Sequence, residues 1–157
     1  MKCKCGNKMT EVIIAEYDFT SLAGLPVVVR GMPARRCPNC GEETLVGKEI
    51  DRVLDEVTLA IIQRTPRLSA KEAKFLREHL TLTQKELAER MGLHKITVAG
   101  WESKRPISPQ HDHILRAMVL AKLGRAATPA QLVTLEHVHT ATPPKSPPRV
   151  VVEKMAS

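Results

Sequence analysis

The sequence predicts a multidomain α+β fold, in which a small β-rich domain holding every cysteine precedes an all-α domain. Three observations carry this. All four cysteines, Cys3, Cys5, Cys37 and Cys40, lie in the first 40 residues. Short β-branched runs stand at the same end, at residues 8–17 and 26–32, whereas apolar residues recur at helical spacing from residue 47 onward. The positive charge sits elsewhere. Residues 68–124 carry +4 and residues 125–157 carry +2, against +1 for residues 1–45 and zero for residues 46–67. A chain of 157 residues has room for two small domains, and 3% aromatic content excludes one large aromatic core.

In chain order, the two strands flank a turn at Gly24-Leu25-Pro26. Residues 47–63 place Ile50, Val53, Leu54, Val57 and Ile61 on one helix face, and Arg64-Thr65-Pro66 ends that helix. Ser69 and Glu72 form a capping box that opens a helix running through Leu80. Thr83 and Glu86 form a second, with Leu82 and Leu87 as its hydrophobic staple and Gly92 as the stop. Lys95 to Glu102 make another short helix, and Ser108-Pro109 open the next, with Ile114, Leu115, Met118 and Ala121 facing inward. Beyond Arg125, Thr128-Pro129 can start a short helix, while Pro143, Pro144, Pro147 and Pro148 imply an extended, flexible tail. The expected organisation is therefore 1–45, a connecting helix at 46–67, 68–124, and a Pro-rich tail at 125–157. No apolar run reaches the ~18 residues of a membrane span, and Met1-Lys2-Cys3 leads into polar residues rather than a signal sequence. The expected location is cytoplasmic, where disulfides are rare.

Cys37-Pro38-Asn39-Cys40-Gly41 has the form of a zinc knuckle: two thiolates on a tight turn, with Gly taking its unusual backbone angles. Cys3-Lys4-Cys5-Gly6 reads as a second knuckle shortened by one residue. No His precedes residue 79, so a local site has four thiolates, a closed sphere suited to one structural Zn²⁺ per chain. Two disulfides, a redox pair at Cys37/Cys40 and an iron site are the competing readings. His111/His113 and His137/His139 read as solvated surface side chains, since no third ligand accompanies them. Neither a Ser/His/Asp set nor a paired-carboxylate constellation is evident, so no catalytic residue is assigned.

Two short helices joined by a Gly-containing turn describe a helix-turn-helix. The stretch LTQKELAERMGLHKITVAGWE, Leu82 to Glu102, resembles the Xre/Cro-type motif in its Leu-Thr-Gln-x-Glu-Leu-Ala opening, its turn Gly and its closing Trp-Glu. The basic balance of 68–124 fits double-stranded DNA. In the second helix Val98 and Trp101 should face the core. The resemblance then places Lys95, Ile96, Thr97, Ala99 and Gly100 towards the major groove, with His94 at the helix start. Gln84, Lys85 and Lys104 are the expected phosphate contacts.

Taken together, "MKCKCG", the β-rich middle, "RCPNCGEE" and the helix-turn-helix resemble MqsA-type antitoxins with a YgiT-type zinc finger, over about residues 1–124. The resemblance implies that the zinc domain neutralises a toxin RNase. It also implies that the C-terminal module forms a homodimer on a palindromic operator and represses its own operon. This chain departs from the family at the recognition helix, where Ile96 and Gly100 replace an outward polar residue and an Arg. A stand-alone zinc-finger/helix-turn-helix transcriptional regulator without a toxin partner is the alternative.

Overall fold

The computed structural model describes residues 1–64, 67–124, 147 and 149–153. Strand β1 (Thr10–Asp18) pairs antiparallel with β2 (Val27–Arg36), from Thr10 opposite Arg36 to Asp18 opposite Val28. Between them a single helical turn, α1 (Thr20–Ala23), ends at Gly24, whose φ of 68° requires glycine. The sequence alone predicts only a turn here. The Asp18 carboxylate nucleates α1 by accepting the Thr20 N–H at 2.9 Å. Strand β3 (Glu43–Leu45) pairs antiparallel with the end of β2.

Helix α2 (Gly47–Ile62) lies against the sheet and buries Val53, Val57 and Ile61 among Phe19, Val27, Val29 and Met32. The helical part follows: α3 (Ala70–His79), α4 (Gln84–Arg90), α5 (Lys95–Trp101) and α6 (Pro109–Lys122). The small β-rich region with its cysteines followed by a helical region is the fold class read from the sequence. Both expected capping boxes are made: Ser69 and Thr83 accept from the N–H groups of Glu72 and Glu86, whose side chains reach back. The Ser108 hydroxyl caps α6, with Pro109 in its first turn.

Two expectations are corrected. The flexible-tail reading of 125–157 fails at its end, where Val150–Val152 form strand β4, parallel to Val27–Val29 of β2. Val150 and Val152 are buried in the main core, and the Val150 N–H donates to the Pro26 carbonyl at 2.8 Å. Three consecutive valines after a Pro-rich stretch carry enough apolar surface to complete the sheet edge that β3 leaves open. Thr65-Pro66, Thr128-Pro129, Pro143, Pro144, Pro148, His137 and His139 lie outside the described residues.

Helix α6 is also rotated from the expected face. Asp112, Leu115, Arg116, Val119 and Leu120 are buried, while Ile114 and Ala121 are exposed. The cause is Arg116, which is fully buried. Its Nε donates to Asp112 Oδ1 at 2.6 Å, and its Nη1 donates to the carbonyls of Ile61, Ile62 and Arg64 at 3.1, 2.9 and 2.6 Å. Asp112 Oδ2 in turn accepts the Leu68 N–H at 2.6 Å. The guanidinium thus adds donors at the C-terminal end of α2, where backbone partners run short and the Ile61 carbonyl otherwise accepts the Arg64 N–H at 3.3 Å. One apolar core runs from Phe19 through α2 to Leu120 and does not break at the ends of the connecting helix.

Candidate metal centre and nucleic-acid interface

The two knuckles are built by backbone hydrogen bonds. The Gly6 N–H closes the first turn on the Cys3 carbonyl at 2.9 Å, and the Gly41 N–H closes the second on the Cys37 carbonyl at 2.9 Å. Gly6 and Gly41 have φ of 86° and 73°, the left-handed region that each turn requires. β2 runs directly into Cys37, while Lys2 and Lys8 bridge the first turn to itself. These elements bring Cys3, Cys5, Cys37 and Cys40 together with all four sulfurs within 4.8 Å of one another. The pairs Cys3–Cys40 and Cys5–Cys37 are each 3.4 Å apart. All four cysteines are free thiols, and the set can hold a metal ion.

The surroundings divide the four sulfurs. Cys3 and Cys37 are buried with Met9 in a small cluster separate from the main core, whereas Cys5 and Cys40 are exposed. The Asn7 backbone N–H, then its carboxamide, holds the Cys5 thiol down to about 6. The Asn39 carboxamide also points at Cys5 Sγ, at 3.9 Å. Cys3 is pulled down by the Cys5 backbone N–H, but the Glu42 carboxylate at 3.1 Å, burial and the neighbouring sulfurs raise it overall. Asn7 and Asn39 are supporting groups that the cysteine spacing alone does not reveal.

In the helical part, Val98 and Trp101 anchor α5 inward at 0% and 5% exposure, as their spacing implies. Trp101 lies against the His111 ring at a centroid distance of 5.1 Å, so His111 is half-buried rather than solvated, and so is His113. Ile96, at 71% exposure, points outward, and His94 and Lys95 are exposed beside it. Thr97 and Ala99 are half-buried. His94 occupies the N-cap position of α5 but makes no side-chain cap bond.

The remaining candidates fall in different surroundings. Lys85 is exposed and pairs with Glu89 at 3.8 Å, and Lys104 is exposed in the turn after α5. Gln84 turns back into the protein, where its Nε2 donates to Glu102 Oε2 at 2.9 Å. Glu102 is held from the other side by Arg77, whose Nε and Nη2 donate to its two oxygens at 2.5 and 3.0 Å. That ion pair raises the Arg77 guanidinium and neutralises Glu102. Gly100 is half-buried because the Arg105 side chain lies over it. Arg105 was not singled out from the sequence.

A helix-turn-helix family model matches residues 74–111, from within α3 into the first turn of α6. No curated protein and no solved structure matches the chain. No helix among the described residues is long and apolar enough to cross a membrane. The matched helix-turn-helix supports a DNA-binding transcriptional regulator, and four clustered cysteines ahead of it form a centre able to coordinate a metal ion.

Proposed function

We propose that the chain is a zinc-loaded repressor of the MqsA type. It binds a palindromic operator as a homodimer, acts in the cytoplasm, and neutralises a toxin RNase encoded beside it. The observation that carries the DNA half is the exposed face of α5. Ile96 stands outward there, with Lys95 exposed next to it in the helix, Lys104 and Arg105 exposed in the turn that follows, and Glu102 neutralised by Arg77. Phosphate contacts from Gln84, Lys85 and Lys104 set register, and Lys95, Ile96, Thr97, Ala99 and Gly100 face base edges, Ile96 packing on a thymine methyl. For Gln84 this requires its carboxamide to leave or share Glu102.

Zinc is the metal best suited to the centre. Four sulfurs about 2.3 Å from one ion form a tetrahedron with edges of about 3.8 Å, and the observed separations of 3.4 Å and up to 4.8 Å bracket that figure. When bound, the ion crosslinks the two turns and fills its coordination sphere, so its role is structural. With four thiolates and a divalent ion, residues 1–45 move from +1 to about −1. That surface suits a basic protein better than a nucleic acid, which supports assigning the toxin to this end.

Co-expression of the full chain with the adjacent gene product tests the antitoxin role. A co-purifying complex in which RNase activity is lost is expected. A neighbour that is no RNase, or that forms no complex, leaves the stand-alone regulator.

A further inference from the structure

The outward face of α5 has a gap at Gly100, one turn after Ile96 on the same side of the helix. The structure fills it from outside the helix. A Cβ built on Gly100 would stand 3.2 Å from Arg105 Cδ, 3.7 Å from its Cγ and 3.8 Å from its Cβ. The arginine stem therefore runs lengthwise over bare helix backbone, on a course that a Cβ at position 100 would crowd at 3.2 Å. The turn that delivers it is fixed, because the Gly100 carbonyl accepts the N–H groups of Ser103, Lys104 and Arg105 at 3.2, 3.0 and 2.8 Å. Arg105 is exposed, and among the described residues its guanidinium has neither a hydrogen bond nor an acidic partner.

We propose that Arg105 is a base-reading residue of the DNA interface, occupying the place of the side chain that Gly100 lacks. The inference rests on the DNA-binding reading above and adds to it a long donor that α5 does not itself carry in that place. The stem lies on the helix face that enters the groove, beside a residue shaped for a thymine methyl. A guanidinium presented there matches the O6 and N7 acceptors of guanine with two parallel hydrogen bonds. Glycine at position 100 then favours the close approach of a neighbouring side chain rather than serving a special backbone conformation.

Selection of bound sequences from a pool of random duplexes, with the full chain at fixed salt, tests this. The wild type should enrich a motif containing a guanine. Arg105→Ala should lose the preference at that position by roughly 5- to 150-fold while keeping the others. Arg105→Lys should lose it too, because a point charge cannot make the paired contact, yet keep the salt dependence of the wild type. Lys104→Ala, one residue earlier in the same turn, should weaken all sequences alike. If Arg105→Ala weakens binding uniformly, or Arg105→Lys selects the wild-type motif, the residue is a phosphate contact and the proposal is overturned. A wild-type chain that enriches no sequence sinks the DNA-binding reading itself, and this proposal with it.

Discussion

Replacing Arg116 by methionine probes the joint between the sheet-bearing part and the helix-turn-helix. Methionine keeps the apolar stem and removes the guanidinium. Asp112, fully buried, is then left as an uncompensated charge with the Leu68 N–H as its remaining described partner. The carbonyls of Ile61, Ile62 and Arg64 lose the guanidinium as a donor as well, Ile61 keeping the Arg64 N–H at 3.3 Å. Breaking a buried pair from one side costs about 3–5 kcal/mol, a large part of the roughly 5–15 kcal/mol that holds a domain of ordinary size. At a slope of about 2 kcal/mol per molar urea, the unfolding midpoint should fall by about 2 M. Asp112→Asn added to Arg116→Met removes the stranded charge while keeping an acceptor for Leu68, and should recover more than half of the loss. Urea unfolding followed by Trp101 fluorescence and by far-ultraviolet circular dichroism measures both. A cost below about 1 kcal/mol would refute the reasoning, since a buried unpaired carboxylate cannot be that cheap. The two probes should move together in every variant, because α2 belongs to one core with both ends. Separate transitions would mean that the ends fold independently.

Three further outcomes are expected. The purified chain should carry about one zinc per chain, and Cys37→Ser should abolish it; hydrogen exchange should then rise at residues 1–9 and 36–43 while Trp101 stays native, because Cys3, Met9 and Cys37 form a cluster apart from the main core. Metal analysis finding no zinc in the wild type, or exchange unchanged in the variant, contradicts this. His79 is half-buried between α3 and α2, and burial, then the nearby Lys122 charge, lowers its pKa from 6.5 against a weaker pull from Asp55. A lowered pKa on a base means that the folded chain binds fewer protons, so stability should fall as pH drops from about 6.5; His79→Gln should flatten that part of the wild-type profile, and superimposable profiles would dismiss the effect. Finally, Lys85→Ala should weaken all DNA sequences alike and lower the salt slope by about one, whereas Ile96→Asn should change which sequence is preferred. Binding to a duplex library at several salt concentrations separates the two, and an unchanged preference in Ile96→Asn means that α5 is not the reading helix.

Most of the secondary structure was legible because it is locally encoded. Ser69/Glu72 and Thr83/Glu86 announce their helix starts within four residues, Ser108-Pro109 opens α6 as expected, and Val98 with Trp101 mark the inner side of α5 from spacing alone. The cysteine cluster was equally readable, since a closed set of four thiolates needs only the two turns to meet. β4 was not. Its partner strand lies more than a hundred residues earlier, and a run of valines after prolines shows no period-two pattern by which to recognise a pairing strand. The face of α6 was misjudged for a related reason. Hydropathy places Arg116 outside and Ile114 inside, but the buried guanidinium donates to Asp112 and to carbonyls at the end of α2 more than fifty residues earlier, partners that hydropathy does not register.

The same non-local logic governs the outward face of α5. From the sequence, Gly100 is an absence: a helix position with no side chain to offer a base. In the fold, that absence leaves room for the stem of Arg105 to lie close against the helix, in a turn held by backbone hydrogen bonds that cross only five residues. Glycine inside a helix costs about 0.5–1 kcal/mol relative to alanine, a penalty that a short helix anchored by two buried side chains must recover elsewhere. Three N–H groups converging on the Gly100 carbonyl offset part of it by satisfying the C-terminal end of α5. Side chains that approach a groove need not therefore belong to the helix that enters it. A reading confined to the helix positions misses the residue delivered by the turn.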